Sequence, residues 1–180
     1  MPPRNFEATI DPSGTATLRL LSGDGQNRIS IDLLRSLAEW PAANPAATKI
    51  ILRGNAGCFS VGADLNLIRE LDPPTAWSLA RQGQHWLTRI AQSRVPFIAL
   101  VEGYCLGGGL DLALACRTRL CAPGAYFGHH GAKLGLVTGW GGTQRLPRLI
   151  GPSLALEHLL AARGWTAEQA VEEGLAQWLT

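Results

Sequence analysis

Apolar and polar positions along the chain alternate between two spacings. Period two marks short strands at 7–10 and 16–21, joined by Asp11-Pro12-Ser13-Gly14, a run of turn formers. Leu33, Leu34 and Leu37 share one face of a helix predicted over 31–40, with Ser30 as its cap and Pro41 and Pro45 ending it. Residues 49–53 read as an apolar strand and 54–62 as a loop. Asp64 caps a helix over 65–70, and Pro73-Pro74 reads as a break. Over 75–93, Trp77, Ala80, Leu87 and Ile90 recur at roughly helical spacing. A buried strand at 96–101, a buried helix at 106–116 and two short strands at 118–121 and 125–128 follow. A helix then opens at Gly141 toward Leu149, and two more close the chain at 153–162 and 166–173. Short strands alternating with helices predict an α/β class, without separating a Rossmann sheet from other layouts.

Composition narrows the function classes. The 180 residues fit one domain over 1–180, and 46% hydrophobic against 17% charged is enough to bury a sizeable core. A formal net charge of +2 is too small to argue for a nucleic-acid partner. Cys58, Cys105, Cys116 and Cys121 form neither a CxxC pair nor a zinc pattern, so no metal site is expected; they read as reduced thiols of a cytoplasmic protein's interior. The opening residues 1–7 lack the apolar run of a signal peptide. The most apolar stretch, 95–121, is broken by Glu102, Asp111, Arg117, Arg119 and three adjacent glycines. It is a poor membrane span and a good buried strand plus helix.

The candidate chemistry begins in that stretch. In 102–111 a strand runs through Gly107-Gly108-Gly109 into an apolar helix. Glycines there let a ligand approach the backbone, and the free N–H groups of a helix start favour developing negative charge. That is the physics of an oxyanion hole. Asp111 lies one turn on, placed to exchange a proton with whatever the amides hold. The competing interpretation is a tight turn packing helix on sheet, with Asp111 only complementing the helix dipole.

A second segment tips the balance. Phe59-Ser60-Val61-Gly62-Ala63-Asp64-Leu65, Glu102-Gly103 with Gly107 to Asp111, Phe127-Gly128 with Leu134-Gly135, and Gly141-Gly142-Thr143-Gln144-Arg145-Leu146 occur in that order. Together they resemble the motifs of the crotonase (enoyl-CoA hydratase/isomerase) superfamily over nearly the whole chain, with the N-terminal third matching weakly. The resemblance implies a spiral of ββα units. It also implies an acyl-CoA thioester as substrate, whose carbonyl is held by the backbone N–H groups of Ala63 and Gly108 while an enolate forms. Coenzyme A is then part of the substrate, and no metal or redox cofactor is implied. Asp64 and Leu65 would lie against the adenine end of coenzyme A. Homo-oligomers, trimers or dimers of trimers, are usual in the family.

The chain also departs from the family. The first of two catalytic glutamates is replaced by Asp111 and the second by Gly131, and neither Thr138 nor Gly139 supplies the acid that some isomerases carry there. Asp111 then acts alone, or His129 or His130 supplies the missing group, or the space at Gly131 admits water or a small anion. The glycine at 131 also resembles that of naphthoate synthase. A strand-end pair with one ring packed and one solvated is the bland interpretation of His129 and His130, as a surface charge is of Lys133. Trp140 lines an acyl pocket or belongs to the core. His85 and His158 read as structural or exposed, and Gly141 to Arg145 as scaffold with Thr143 as a cap. Family members usually continue for several more helices, so a domain truncated at its C-terminus, with a non-standard oligomer interface, is expected. The expected function is a hydratase/isomerase-type enzyme. The alternatives are a degenerate crotonase-fold binding or scaffolding protein, and a naphthoate-synthase-like, decarboxylase or hydrolase activity.

Overall fold

Strand pairs, each followed by a helical return, build the molecule. A computed structural model describes residues 6–55 and 57–179. The opening residues 1–5, Ala56 within the expected 54–62 loop, and Thr180 lie outside the described residues. The chain runs β1 (Phe6–Ile10), β2 (Thr15–Leu20), α1 (Ile31–Ala43), β3 (Lys49–Arg53), β4 (Cys58–Ser60), α2 (Leu65–Arg69) and α3 (Pro73–Ala91). Then come β5 (Phe97–Val101), β6 (Tyr104–Leu106), α4 (Gly108–Ala115), β7 (Thr118–Cys121), β8 (Tyr126–Gly128) and a 3₁₀ turn (Gly131–Leu134). The last elements are α5 (Gly142–Ile150), α6 (Pro152–Ala161), β9 (Gly164–Thr166), α7 (Ala167–Glu172) and β10 (Gln177–Trp178).

Two sheets share these strands. The larger has the order β1-β2-β3-β5-β7-β10, and the smaller β4-β6-β8-β9. β3, β5 and β7 each enter the larger sheet, and the strand that follows each enters the smaller one. Pairing is parallel except for β1 with β2 and β8 with β9, so each return must cross over through helix or loop. This is a ββα spiral. β5 alternates buried Phe97, Ala99 and Val101 with half-buried Ile98 and Leu100, as a strand faced on both sides requires. Arg53 and Glu102 pair at 2.6 Å across the joint between the sheets.

Several expectations are corrected. Pro41 lies inside α1 rather than ending it, and Asn44 is the cap. Pro73 and Pro74 form the first turn of α3, where an absent N–H costs nothing, and Asp72 caps it. Leu106 belongs to β6, so the buried helix starts at Gly108. Thr143 makes no cap: Gly141 precedes α5 without a side-chain bond. Trp77 lies off the buried stripe of Gly83, Leu87 and Ile90, 69% exposed, with Arg81 over its ring. Ser30 and Asp64 do cap α1 and α2.

α4 is the element that matters most to the site. Every residue from Gly109 to Ala115 is buried. A helix apolar all round belongs inside, so its single carboxylate, Asp111, is carried into the core with it. All four cysteines are buried and free.

Candidate active site

Two glycine-rich loops interlock at the start of α4. The loop before α2 is held by the segment 26–29: Asn27 donates to the carbonyls of Cys58 and Phe59 at 2.9 and 3.2 Å, Val61 N–H donates to Gln26 O, and Ile29 N–H donates to Gly62 O. Gly62 has φ +95°, and a Cβ there would stand 2.7 Å from Gly108 N and 2.9 Å from Leu106 O. Only glycine fits this crossing. Gly109 is pressed against Ser60 in the same way. The amides of Ala63 and Gly108 are thereby brought side by side: Ala63 N lies 3.4 Å from the Cβ position of residue 108. Among the described residues neither amide donates a hydrogen bond.

Asp111, one turn into α4, is 2% exposed. Its Oδ2 accepts from Thr138 Oγ1 at 2.5 Å. Its Oδ1 faces His129 Nε2 at 3.6 Å, and neither atom has a partner among the described residues. Burial pushes the Asp111 carboxyl up from its usual 3.8, against the pull of His129 and the Thr138 hydroxyl. Burial pushes His129 down from 6.5, against the carboxylate. Gly142, the first residue of α5, closes the pocket from the other side. A Cβ there would stand 2.5 Å from Oδ1 and 2.8 Å from Nε2.

A cavity of about 710 Å³ opens over these groups. Ala63, Asp64, Leu65, Gly108, Asp111, His130, Gly131 and Trp140, all singled out in the sequence, line it. Ala76, Leu79 and Ala80 of α3 complete its wall. Trp140 is both pocket wall and core, 6% exposed and pressed between Gly83 and Gly108. The two histidines differ. His129 is buried beside Asp111, whereas His130 is half-buried, bonded through Nδ1 to Ala162 O at 2.9 Å and stacked on Tyr126. Thr138 entered the sequence reading only for not being acidic, and its bond to Asp111 spans 27 residues that no local pattern links. His85 is exposed, whereas His158 is buried against Trp165. A second groove of about 410 Å³, lined in part by Arg117, Arg119, Arg145 and Arg148, shares no lining residue with the first. Among the described residues no cluster of metal-ligating side chains forms, and no helix is long and apolar enough to cross a membrane.

The model of one protein family, Enoyl-CoA hydratase/isomerase, matches residues 26–179. The chain belongs to the enoyl-CoA hydratase/isomerase family. This family member is 43% identical over 129 residues to the fatty acid oxidation complex subunit alpha of Idiomarina loihiensis, a match spanning 70% of this chain and 18% of that relative. It superposes on an enoyl-CoA hydratase from Bacillus anthracis with a TM-score of 0.89 and 28% identity, over 98% of this chain and 70% of the other. For an enoyl-CoA hydratase from Geobacillus kaustophilus the TM-score is 0.90 at 30% identity, over 99% and 69% of the two chains. The mixed α/β architecture of this enoyl-CoA hydratase/isomerase family member is therefore that of the crotonase fold.

Proposed function

We propose that the protein acts on acyl-CoA thioesters, stabilising the thioester enolate with the amides of Ala63 and Gly108 while Asp111 moves the proton. The observation that carries this reading is the convergence of two partnerless amides on the cavity wall that holds a buried carboxyl. Hydrogen-bond donors fixed in advance around a developing oxyanion need no reorganisation, and removing one typically costs about 10²–10³ in rate. Trp140 bounds the acyl end of the cavity, and Asp64 and Leu65 take the adenine end of coenzyme A. Coenzyme A enters as part of the substrate, and the enolate step calls for no separate cofactor. Leu134, Val137, Leu156 and Leu160 line or rim the same cavity at 57–77% exposure, which supports a homo-oligomer that covers them.

Calorimetric titration with crotonyl-CoA and with free coenzyme A, followed by the enoyl-thioester absorbance of the same mixture, tests the reading. Binding with turnover that Asp111→Asn abolishes, at retained affinity, is expected. Unchanged turnover in Asp111→Asn overturns the role of Asp111. Binding without turnover of any acyl-CoA tried favours a degenerate carrier, for which Gly131 in place of a family glutamate already speaks. A monodisperse monomer by light scattering removes the oligomer.

A further inference from the structure

We propose that His129 is the second proton-handling group of this site, forming with Asp111 a dyad that takes over the work of the acid missing at Gly131. The inference rests on the thioester reading above and adds a residue to it. Four groups near the cavity were candidates for that work. Gly131 has no side chain. Thr138 spends its hydroxyl on Asp111 Oδ2. His130 is turned to Ala162 O and stacked on Tyr126. His129 alone among them directs a ring nitrogen at the second carboxylate oxygen, 3.6 Å away, with both atoms buried and unpartnered among the described residues, in two residues that line the cavity.

The arrangement is built rather than incidental. A side chain at residue 142 would strike both atoms, so glycine there keeps them face to face. Thr138 fixes the carboxylate plane from its other oxygen. A separation of 3.6 Å is longer than a hydrogen bond, as catalytic pairs often are before substrate tightens them.

The proton balance closes without any other reactant. At rest the pair holds one proton, on Nε2 facing the carboxylate or on Oδ1 facing neutral imidazole. In the imidazolium form, the Asp111 carboxylate removes a proton from a carbon conjugated to the thioester. The C–H bond breaks, its electron pair moves into the thioester as an enolate, and an O–H bond forms on Asp111. The dyad now carries two protons and one positive charge, against the enolate's one negative charge. Returning a proton to the other end of the conjugated system, from either member, restores the starting state. A lone carboxylate must reach both carbons, whereas two groups can serve one each. The opposed effects of burial on Asp111 and His129 bring their protonation states close, as a proton-sharing pair requires. Other charged or titratable neighbours are His130 beside His129, and Arg145 and Cys105 beside Asp111.

Two measurements test the dyad. The first is the ¹⁵N titration of the His129 imidazole in the wild type and in Asp111→Asn. Loss of the carboxylate is expected to move the His129 midpoint downward. An unmoved His129 midpoint overturns the dyad, and this result needs no substrate. The second is the isomerisation of but-3-enoyl-CoA to crotonyl-CoA, which takes a proton from one carbon and returns one to another. His129→Gln, and His129→Asn as a second variant, are expected to slow it about 10²-fold or more with affinity for the thioester kept within a few-fold, and to remove one limb of the pH–rate profile. An unchanged rate and profile in a folded His129 variant overturns the dyad while the thioester reading stands. A wild type inert toward this thioester overturns the enzymatic reading on which the dyad's catalytic role rests, whatever the titration shows.

Discussion

Trp140 packs directly on Gly108: a Cβ at residue 108 would stand 2.6 Å from Cζ3 of the indole. The amide proposed to hold the oxyanion is thus fixed from one side by an aromatic ring and from the other by the crossing of Gly62. Gly108→Ala must displace either the ring or the amide. Turnover is expected to fall about 10²–10³-fold, the cost of losing one oxyanion donor, beside a stability loss of about 1–3 kcal/mol from overpacking the ring. Steady-state kinetics beside thermal unfolding check this, and an alanine variant with wild-type turnover would remove Gly108 from the chemistry.

The five-membered ring of Trp140 gives a stability prediction. A Cβ on Gly83 would lie 2.2 Å from Cδ1 and 2.3 Å from Nε1 of the same ring. Replacing a mid-helix glycine with alanine normally stabilises by about 1 kcal/mol. Overpacking a core costs about 1–3 kcal/mol, and at this distance it wins. Gly83→Ala is expected to lower the urea midpoint at unchanged m-value.

Thr138→Val removes the hydroxyl that donates to Asp111 Oδ2 and favours the ionised form. The carboxyl is then expected to titrate at higher pH than in the wild type. If the ionised form is the base, the acid limb of the pH–rate profile moves up, and a profile that moves down or stays put contradicts the assignment.

The buried carboxyl also sets a pH dependence of stability. Asp111 is raised above 3.8 in the folded state. Its contribution is fully present below the unfolded value and is lost as pH rises through the folded one. Asp111→Asn stays neutral throughout, so it is expected to gain in melting temperature over the wild type at pH 7, a difference that narrows toward pH 3.8. His129, lowered from 6.5, has the opposite sign: its contribution is present above the unfolded value and lost as pH falls through the folded one. Thermal melts across about pH 3–8, which brackets the ordinary values of 3.8 and 6.5, measure both.

His158 stacks on Trp165 with ring centroids 3.8 Å apart and planes 9° from parallel. Glu173 accepts from Trp165 Nε1 at 2.5 Å and lies 3.4 Å from His158 Nε2, so α6, β9 and the end of α7 meet here. His158→Ala is expected to cost about 1–3 kcal/mol by chemical denaturation, with stacking accounting for about 0.5–1.5 of it.

Much of the fold was legible because its signals are local. The apolar run at 49–53, the caps Ser30 and Asp64, and the glycine runs are each contained within a few residues. The missed strands share a cause. β4, β6, β9 and β10 have two or three residues, too few to show a period, and they form only because a neighbouring strand is already in place. Proline removes a bond inside a helix and so predicts an end at Pro41, yet α1 continues to Ala43.

By itself the sequence determined the α/β alternation, the order of the glycine loops, and the presence of a carboxyl at 111 with glycine at 131. It left His129 and His130 equivalent, since adjacent residues carry no record of which way each points. Tertiary structure decided that His129 turns inward to Asp111 while His130 turns to Ala162, and that Thr138 reaches the other carboxylate oxygen. The reason is physical: consecutive side chains leaving a strand diverge, and their partners lie 18 to 32 residues away, where only packing of the two sheets around α4 fixes what meets what.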